Sequence, residues 1–288
     1  MEIVWLDHEW FRDAHKVGGK GASLGRLANE FPVPPAFCMS SSAFARWGDC
    51  RLDDNGPPEE MLEAVTDAYT QLGVLCGIDQ PAVAVRSSAV DEDGFESSFA
   101  GQHDTFLNLV GSDSVARAIV RCWASSDSDS AVNYRKQSGA TITNPVMGVL
   151  VQQMIPSDIS GVAFSANPVS GQLSEIIVNS SWGLGESIVG GTVTPDTFII
   201  DKIDWNITSS EIANKVRMTV SSVDGAEEVD VPQIMRDRSS MSDAQVLDVA
   251  RLADSLEKRE AHPVDIEWAF YNEVLYLLQC RPITTLTS

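Results

Sequence analysis

The stretch from Ser242 to Arg281 constrains the fold more tightly than any other part of the chain. Ser242-Asp243-Ala244-Gln245 matches a capping box, with serine at the N-cap and glutamine three residues on. Behind it Val246, Val249, Ala253 and Leu256 recur at helical spacing, which predicts an amphipathic helix over about residues 243–259. After Pro263, the runs Asp265 to Phe270 and Val274 to Gln279 read as two strands around a turn at Asn272.

The same mixture runs through the rest of the chain. Val17 to Arg26 (VGGKGASLGR) is a glycine-rich loop leading into a helical stretch with Leu24 and Leu27 as its apolar positions. Phe31-Pro32-Val33-Pro34-Pro35 ends that stretch, because proline cannot continue a helix. Residues 40–76 read as helical in pieces. Ala82 to Val85 is a β-prone run that delivers Arg86-Ser87-Ser88 at its end, and Met147–Met154, Gly161–Phe164 and Ser174–Val178 are further strand candidates. Helices alternate with short strands, so the fold class is α+β in two lobes rather than one doubly wound sheet. The boundary falls near residue 155, giving an N-terminal lobe of 1–155 and a C-terminal lobe of 156–288.

Charge narrows the function classes. Twenty Lys and Arg stand against 41 Asp and Glu, a formal charge of −21. Such a surface repels phosphodiester backbones and anionic lipid, which argues against nucleic acid and membrane partners but leaves room for a small anion held by local cations. The 5 cysteines form no CxxC pair and no Cys/His cluster, so neither a disulfide framework nor a zinc site is indicated. MEIVWLDHEWF lacks the basic and apolar regions of a signal peptide, and no apolar run is long enough to span a bilayer; the expected location is the cytoplasm.

Several places suit phosphate chemistry, each with a plainer alternative. Lys20 sits in Gly18-Gly19-Lys20-Gly21, where close backbone amides and a point charge suit an anion, although the P-loop pattern fails. The alternative is a solvated lysine on a turn. Arg86, at the end of its strand, offers forked donors for phosphate or for an ion pair. Ser97 to Thr105 suits a loop closing over a ligand, or an ordinary surface turn. Trp182-Gly183-Leu184-Gly185-Glu186 is a weak nucleotide fingerprint and reads better as packing or a turn. In the hairpin, Asp265 and Glu267 lie opposite the face of Ile266, Trp268 and Phe270, while Gln279 and Arg281 share a face with Leu275 and Leu277. A carboxylate, an amide oxygen and an arginine together suit Mg²⁺ and phosphates, or a structural Glu–Arg pair.

Taken in order, VGGKGASLG, AVRSSAVDEDGFESSFAGQHDTFLN, VLVQQM, SGVAFSANPVSG, WGLGESIVGGTVTPD and DIEW…LLQCRPIT resemble one family. It is the N-terminal ATP-binding domain of phosphoenolpyruvate synthase, pyruvate phosphate dikinase and rifampin phosphotransferase. The likeness runs from about residue 15 to 285 and is weaker over roughly 205–240. The resemblance implies an ATP-grasp fold with the nucleotide between the lobes, and ATP and Mg²⁺ as cofactors. It implies Lys20 and Arg86 as phosphate-binding cations, Gly101 to Thr105 as the loop over the phosphates, and Gln152 at the adenine end. Glu267 and Gln279 match the Mg²⁺ ligands and Arg281 the arginine on the transferring phosphates. The implied reaction passes the β-phosphate of ATP to a histidine on a swivelling domain, with AMP and phosphate as products.

The chain stops at Ser288, where family members continue, and none of His8, His15, His103 and His262 lies in a Thr-Ser-His context. A separate histidine-carrying phosphocarrier is therefore the expected partner. A stand-alone small-molecule kinase, a nucleotide-binding module without turnover and a piece of a longer enzyme are the alternatives.

Joint metal binding also predicts a turn. A two-residue turn at Asn272-Glu273 sets Glu267 against Leu278 and turns Gln279 away. A three-residue loop, Tyr271 to Glu273, puts Gln279 and Arg281 on the face of Glu267. The metal role thus predicts the longer loop, with Glu273 left-handed at a strain of about 1 kcal/mol.

Overall fold

The computed structural model describes residues 1–52, 56–90, 105–126, 147–222 and 225–284. Its contacts divide the chain into two units, residues 1–154 with 223–225 and residues 155–222 with 226–288.

In the first unit the strands are β1 (Ile3–Trp5), β2 (Ala36–Met39), β3 (Val83–Ala89), β4 (Thr105–Leu109) and β5 (Met147–Gln153). The helices are α1 (Ala14–Leu27), α2 (Ser41–Trp47), α3 (Glu59–Cys76) and α4 (Ser112–Ser125). The strands form a five-stranded sheet in the order β1-β2-β5-β3-β4, and its neighbours pair antiparallel. Side chains alternate between faces along each strand. Phe37, Met39, Val83, Val85, Val149 and Val151 therefore point one way, into a core with Val65, Leu72, Ile119 and Trp123 of α3 and α4. Ala36, Cys38 and Leu150 point the other way, against Phe11, Val17 and Leu24 at and around α1. This approach is close: a Cβ on Gly148 would lie 2.5 Å from the Val17 carbonyl oxygen.

β3 is longer than the sequence suggests. Arg86 lies inside the strand rather than at its end, because its backbone pairs with Leu150 of β5 and Thr105 of β4, and Ser87 and Ser88 continue along β5.

The second unit holds β6 (Ile159–Phe164), β7 (Glu175–Trp182), β8 (Asp196–Asp201), β9 (Ile207–Glu211), β10 (Arg217–Ser222), β11 (Gly225–Asp230), β12 (Val264–Tyr271) and β13 (Val274–Pro282). Its helices are α5 (Glu186–Val189), α6 (Gln233–Arg236) and α7 (Asp243–Glu260). A six-stranded sheet runs β13-β12-β6-β7-β8-β9, beside a two-stranded β10-β11 sheet. Both reciprocal bonds of the capping box at Ser242 and Gln245 are present, and α7 buries Val246, Val249, Ala253 and Leu256 against the sheet.

A buried polar cluster locks the start of β8. Lys215 and Asp196 form a fully buried ion pair, and Asp196 also accepts the backbone N–H groups of Ala213 and Ser240 and the Ser240 hydroxyl. Nothing in the sequence spacing pointed to Lys215. Among the described residues no helix is long and apolar enough to cross a membrane.

Candidate functional site

In the first unit the candidate residues gather on the α1 face of the sheet. Arg86 follows Ala84 on that face of β3, and Thr105 is its exposed cross-strand partner at the start of β4. Gln152 pairs with Ala84 and shares the same face. It is buried, and its Nε2 has no hydrogen-bond partner among the described residues. A buried donor left unmade costs about 1–3 kcal/mol, so this amide suits a ligand acceptor. Gly101 lies outside the described residues, as does the rest of the predicted phosphate loop up to Asp104.

Lys20 reaches this face because α1 is broken at Gly18, whose φ of 78° and ψ of 172° are not helical. The helical segment that follows lies against the end of β3, so Lys20 sits on a helix rather than on the glycine-rich loop the sequence suggests. The Lys20 ammonium donates to the Ser87 carbonyl oxygen at 3.4 Å, and the Gly21 amide donates to the Ser88 hydroxyl at 3.1 Å. Lys20 thus meets the strand that carries Arg86. The Gly21 amide is engaged by Ser88, so at this position the ammonium, rather than the amide, is what the segment offers an anion.

In the second unit Glu267 and Gln279 stand directly opposite each other across β12 and β13. They do so by a different route from the one expected. The turn has two residues, Asn272 and Glu273, with Tyr271 paired to Val274. Both turn residues are left-handed, at φ 47° and 64°, which is the type I′ geometry whose twist matches a hairpin. The register then shifts between Trp268, paired with Leu277, and Glu267, paired with Gln279. Leu278 is the extra residue of a β-bulge. The bulge also corrects the expected face: Leu277 is buried with Trp268, while Gln279 and Arg281 face with Glu267 and Asp265.

Asp265 holds Arg281 through both Nε and Nη2, each 2.8 Å from Oδ2. Burial raises the Asp265 pKa, against the pull of Arg281 and with a smaller push from the Glu267 carboxylate. The sequence placed Asp265 on this face but gave it no role; as the fixed counter-charge of Arg281 it orients the guanidinium. Glu267 and Gln279 offer a carboxylate and an amide oxygen, the hard donors Mg²⁺ takes when substrate phosphates and water complete its shell. The donor set fits that ion.

The glycine-rich stretch after β7 is pinned in place. A Cβ on Gly183 (φ +78°) would lie 2.2 Å from the Thr219 carbonyl oxygen. Its own carbonyl accepts the Ser157 and Ser160 hydroxyls.

The chain belongs to the family described as pyruvate phosphate dikinase, AMP/ATP-binding domain, whose model matches residues 52–288. A probable phosphoenolpyruvate synthase of Methanocaldococcus jannaschii is 36% identical over 317 residues, covering 99% of this chain and 27% of that protein. The uncharacterized phosphotransferase YvkC of Bacillus subtilis is 36% identical over 293 residues, covering 96% of this chain and 35% of its own. D-alanyl-alanine synthetase A of Vibrio cholerae aligns at 12% identity and a TM-score of 0.37, over 93% of this chain and 55% of that one. The chain thus spans well under half the length of these two curated relatives.

Proposed function

We propose that the chain is the ATP-binding part of a dikinase-type phosphotransferase with an ATP-grasp fold. It binds Mg-ATP, passes the β-phosphate to a histidine on a separate swivelling domain, and releases AMP together with phosphate formed as water takes up the γ-phosphoryl group. The observation that carries this reading is the docking of the helical segment after Gly18 on β3, which brings Lys20 to the strand of Arg86. Phosphoryl transfer asks little covalent chemistry of the protein and much positioning and charge compensation. Two cations on one face of a chain of net charge −21 are suited to that work. The names of the relatives, a phosphoenolpyruvate synthase and a phosphotransferase, point the same way.

In this reading Lys20 and Arg86 hold phosphate oxygens and offset their charge, and Arg281, held in plane by Asp265, presents its guanidinium to the transferring phosphates. Thr105 and Gly101 border the phosphates. Gln152 orients the base by donating its buried amide. Glu267 and Gln279 would hold Mg²⁺, which would supply charge neutralisation to the phosphates. The acceptor domain and the cytoplasmic location belong to the same proposal.

Incubation with Mg-ATP, alone and with a histidine-carrying swivelling-domain protein, tests it. AMP, phosphate and a phosphorylated histidine on the partner are the expected products. ADP would point to a stand-alone small-molecule kinase, and bound but uncleaved ATP to a nucleotide-binding module.

A further inference from the structure

Ser88 has no assigned part in the reading above, yet it meets the Lys20 segment of α1 at two places, Gly18 and Gly21. The break at Gly18 makes residue 18 the N-cap of a second helical segment, and the third residue of that segment is Gly21. An N-cap side chain ordinarily accepts the amide at that third position. Gly18 has no side chain to do so, and no room for one: a Cβ there would lie 1.9 Å from the Ser88 carbonyl oxygen and 2.3 Å from its hydroxyl. The missing acceptor comes from β3 instead, where the Ser88 hydroxyl takes the Gly21 amide at 3.1 Å in a buried setting.

We infer that Ser88 is a positioning residue for nucleotide phosphate: it caps the Lys20 segment of α1 from the neighbouring strand and so fixes the Lys20 ammonium relative to Arg86. This rests on the nucleotide reading above and deepens it. The arrangement divides one helix cap between two elements, glycine supplying the backbone and a serine 70 residues later the oxygen. Arg86 and Ser88 lie two apart on β3, hence on the same face. One rigid strand thus carries one cation and the anchor of the other.

A double-mutant cycle on the whole chain separates positioning from plain support of the fold. Mg-ATP dissociation constants are measured by calorimetry for wild type, Ser88→Ala, Lys20→Ala and the double variant, well below the melting temperature of each. Ser88→Ala should weaken binding about fivefold, the worth of one cap. The same change should cost nothing further where Lys20 is already alanine. An equal loss in both backgrounds, or no loss in either, overturns the assignment while leaving the nucleotide reading intact. Should the alanine variant unfold, Ser88→Cys, of similar size and a weak acceptor, must likewise weaken binding only where Lys20 is present. No binding by wild type would overturn the nucleotide reading itself, and Ser88's role with it.

Discussion

Glu267 and Gln279 are cross-strand partners because Leu278 is inserted between the pairs Trp268–Leu277 and Glu267–Gln279. With the same type I′ turn and no bulge, Glu267 would face Leu278, and Gln279 would point into the core with Ile266 and Trp268. One extra residue reverses the parity of everything after it. The bulge therefore determines whether the hairpin presents a leucine or an amide oxygen beside the Glu267 carboxylate.

That pairing makes a prediction about metal dependence. Glu267→Gln removes the anionic donor but keeps its shape, and should raise the Mg²⁺ concentration needed for half-maximal ATP binding at least tenfold, about 1.4 kcal/mol. Titration of Mg²⁺ at fixed ATP measures this. An unchanged midpoint would remove Glu267 from the metal site.

The turn carries strain that is separable from the site. Glu273 is exposed and left-handed at φ 64°, a conformation that costs a residue with a Cβ about 1 kcal/mol or more. Glu273→Gly creates the Asn-Gly pair favoured by type I′ turns and should stabilise the protein by about 1 kcal/mol in urea denaturation. A destabilised variant would mean that the Glu273 side chain supports the turn by more than its backbone costs.

The buried Lys215–Asp196 pair should be costly to break. Lys215→Met leaves the Asp196 carboxylate buried without its countercharge and should destabilise by about 3–5 kcal/mol. Adding Asp196→Asn should recover part of that loss. Equal stabilities for the two variants would show that the penalty comes from packing around the lysine.

The pKa of Asp265 predicts a pH dependence with a defined sign. Burial raises it above the ordinary 3.8, so the folded protein binds this proton more tightly than the unfolded chain does. The resulting stability is fully present below about pH 3.8 and is lost as pH rises through the raised folded value. The stability of wild type minus that of Asp265→Asn should therefore fall as pH rises from about 4 toward neutrality. Denaturant titrations across that range measure the slope. A difference that grows with pH would mean that Arg281 outweighs burial at this carboxyl.

Where one local pattern decided the outcome, the sequence was easy to read. The capping box and the spacing of Val246 to Leu256 placed α7 almost to the residue, and the β-branched runs located β3, β5 and β6. The lone parity rule failed at the hairpin, because the bulge at Leu278 leaves no mark in alternation. Arg86 was placed at a strand end because the apolar run stops at Val85. Its strand continues on ladder bonds to β4 and β5, which no local pattern encodes. Lys20, Arg86, Glu267, Gln279 and Arg281 stood out by residue type and position, each with a plainer alternative, and only the family resemblance decided between the two readings. The structure adds how the helix break at Gly18, the bulge and Asp265 put them where they are. Ser88 and Lys215 stayed silent, since each acts on a partner distant in sequence.

The central claim is that Lys20 and Arg86 hold the phosphates of ATP. Calorimetric titration of wild type, Lys20→Ala and Arg86→Ala with Mg-ATP tests it most directly. The account predicts measurable wild-type binding and at least a tenfold loss in each variant, about 1.4 kcal/mol. Unchanged affinity in both variants would contradict it.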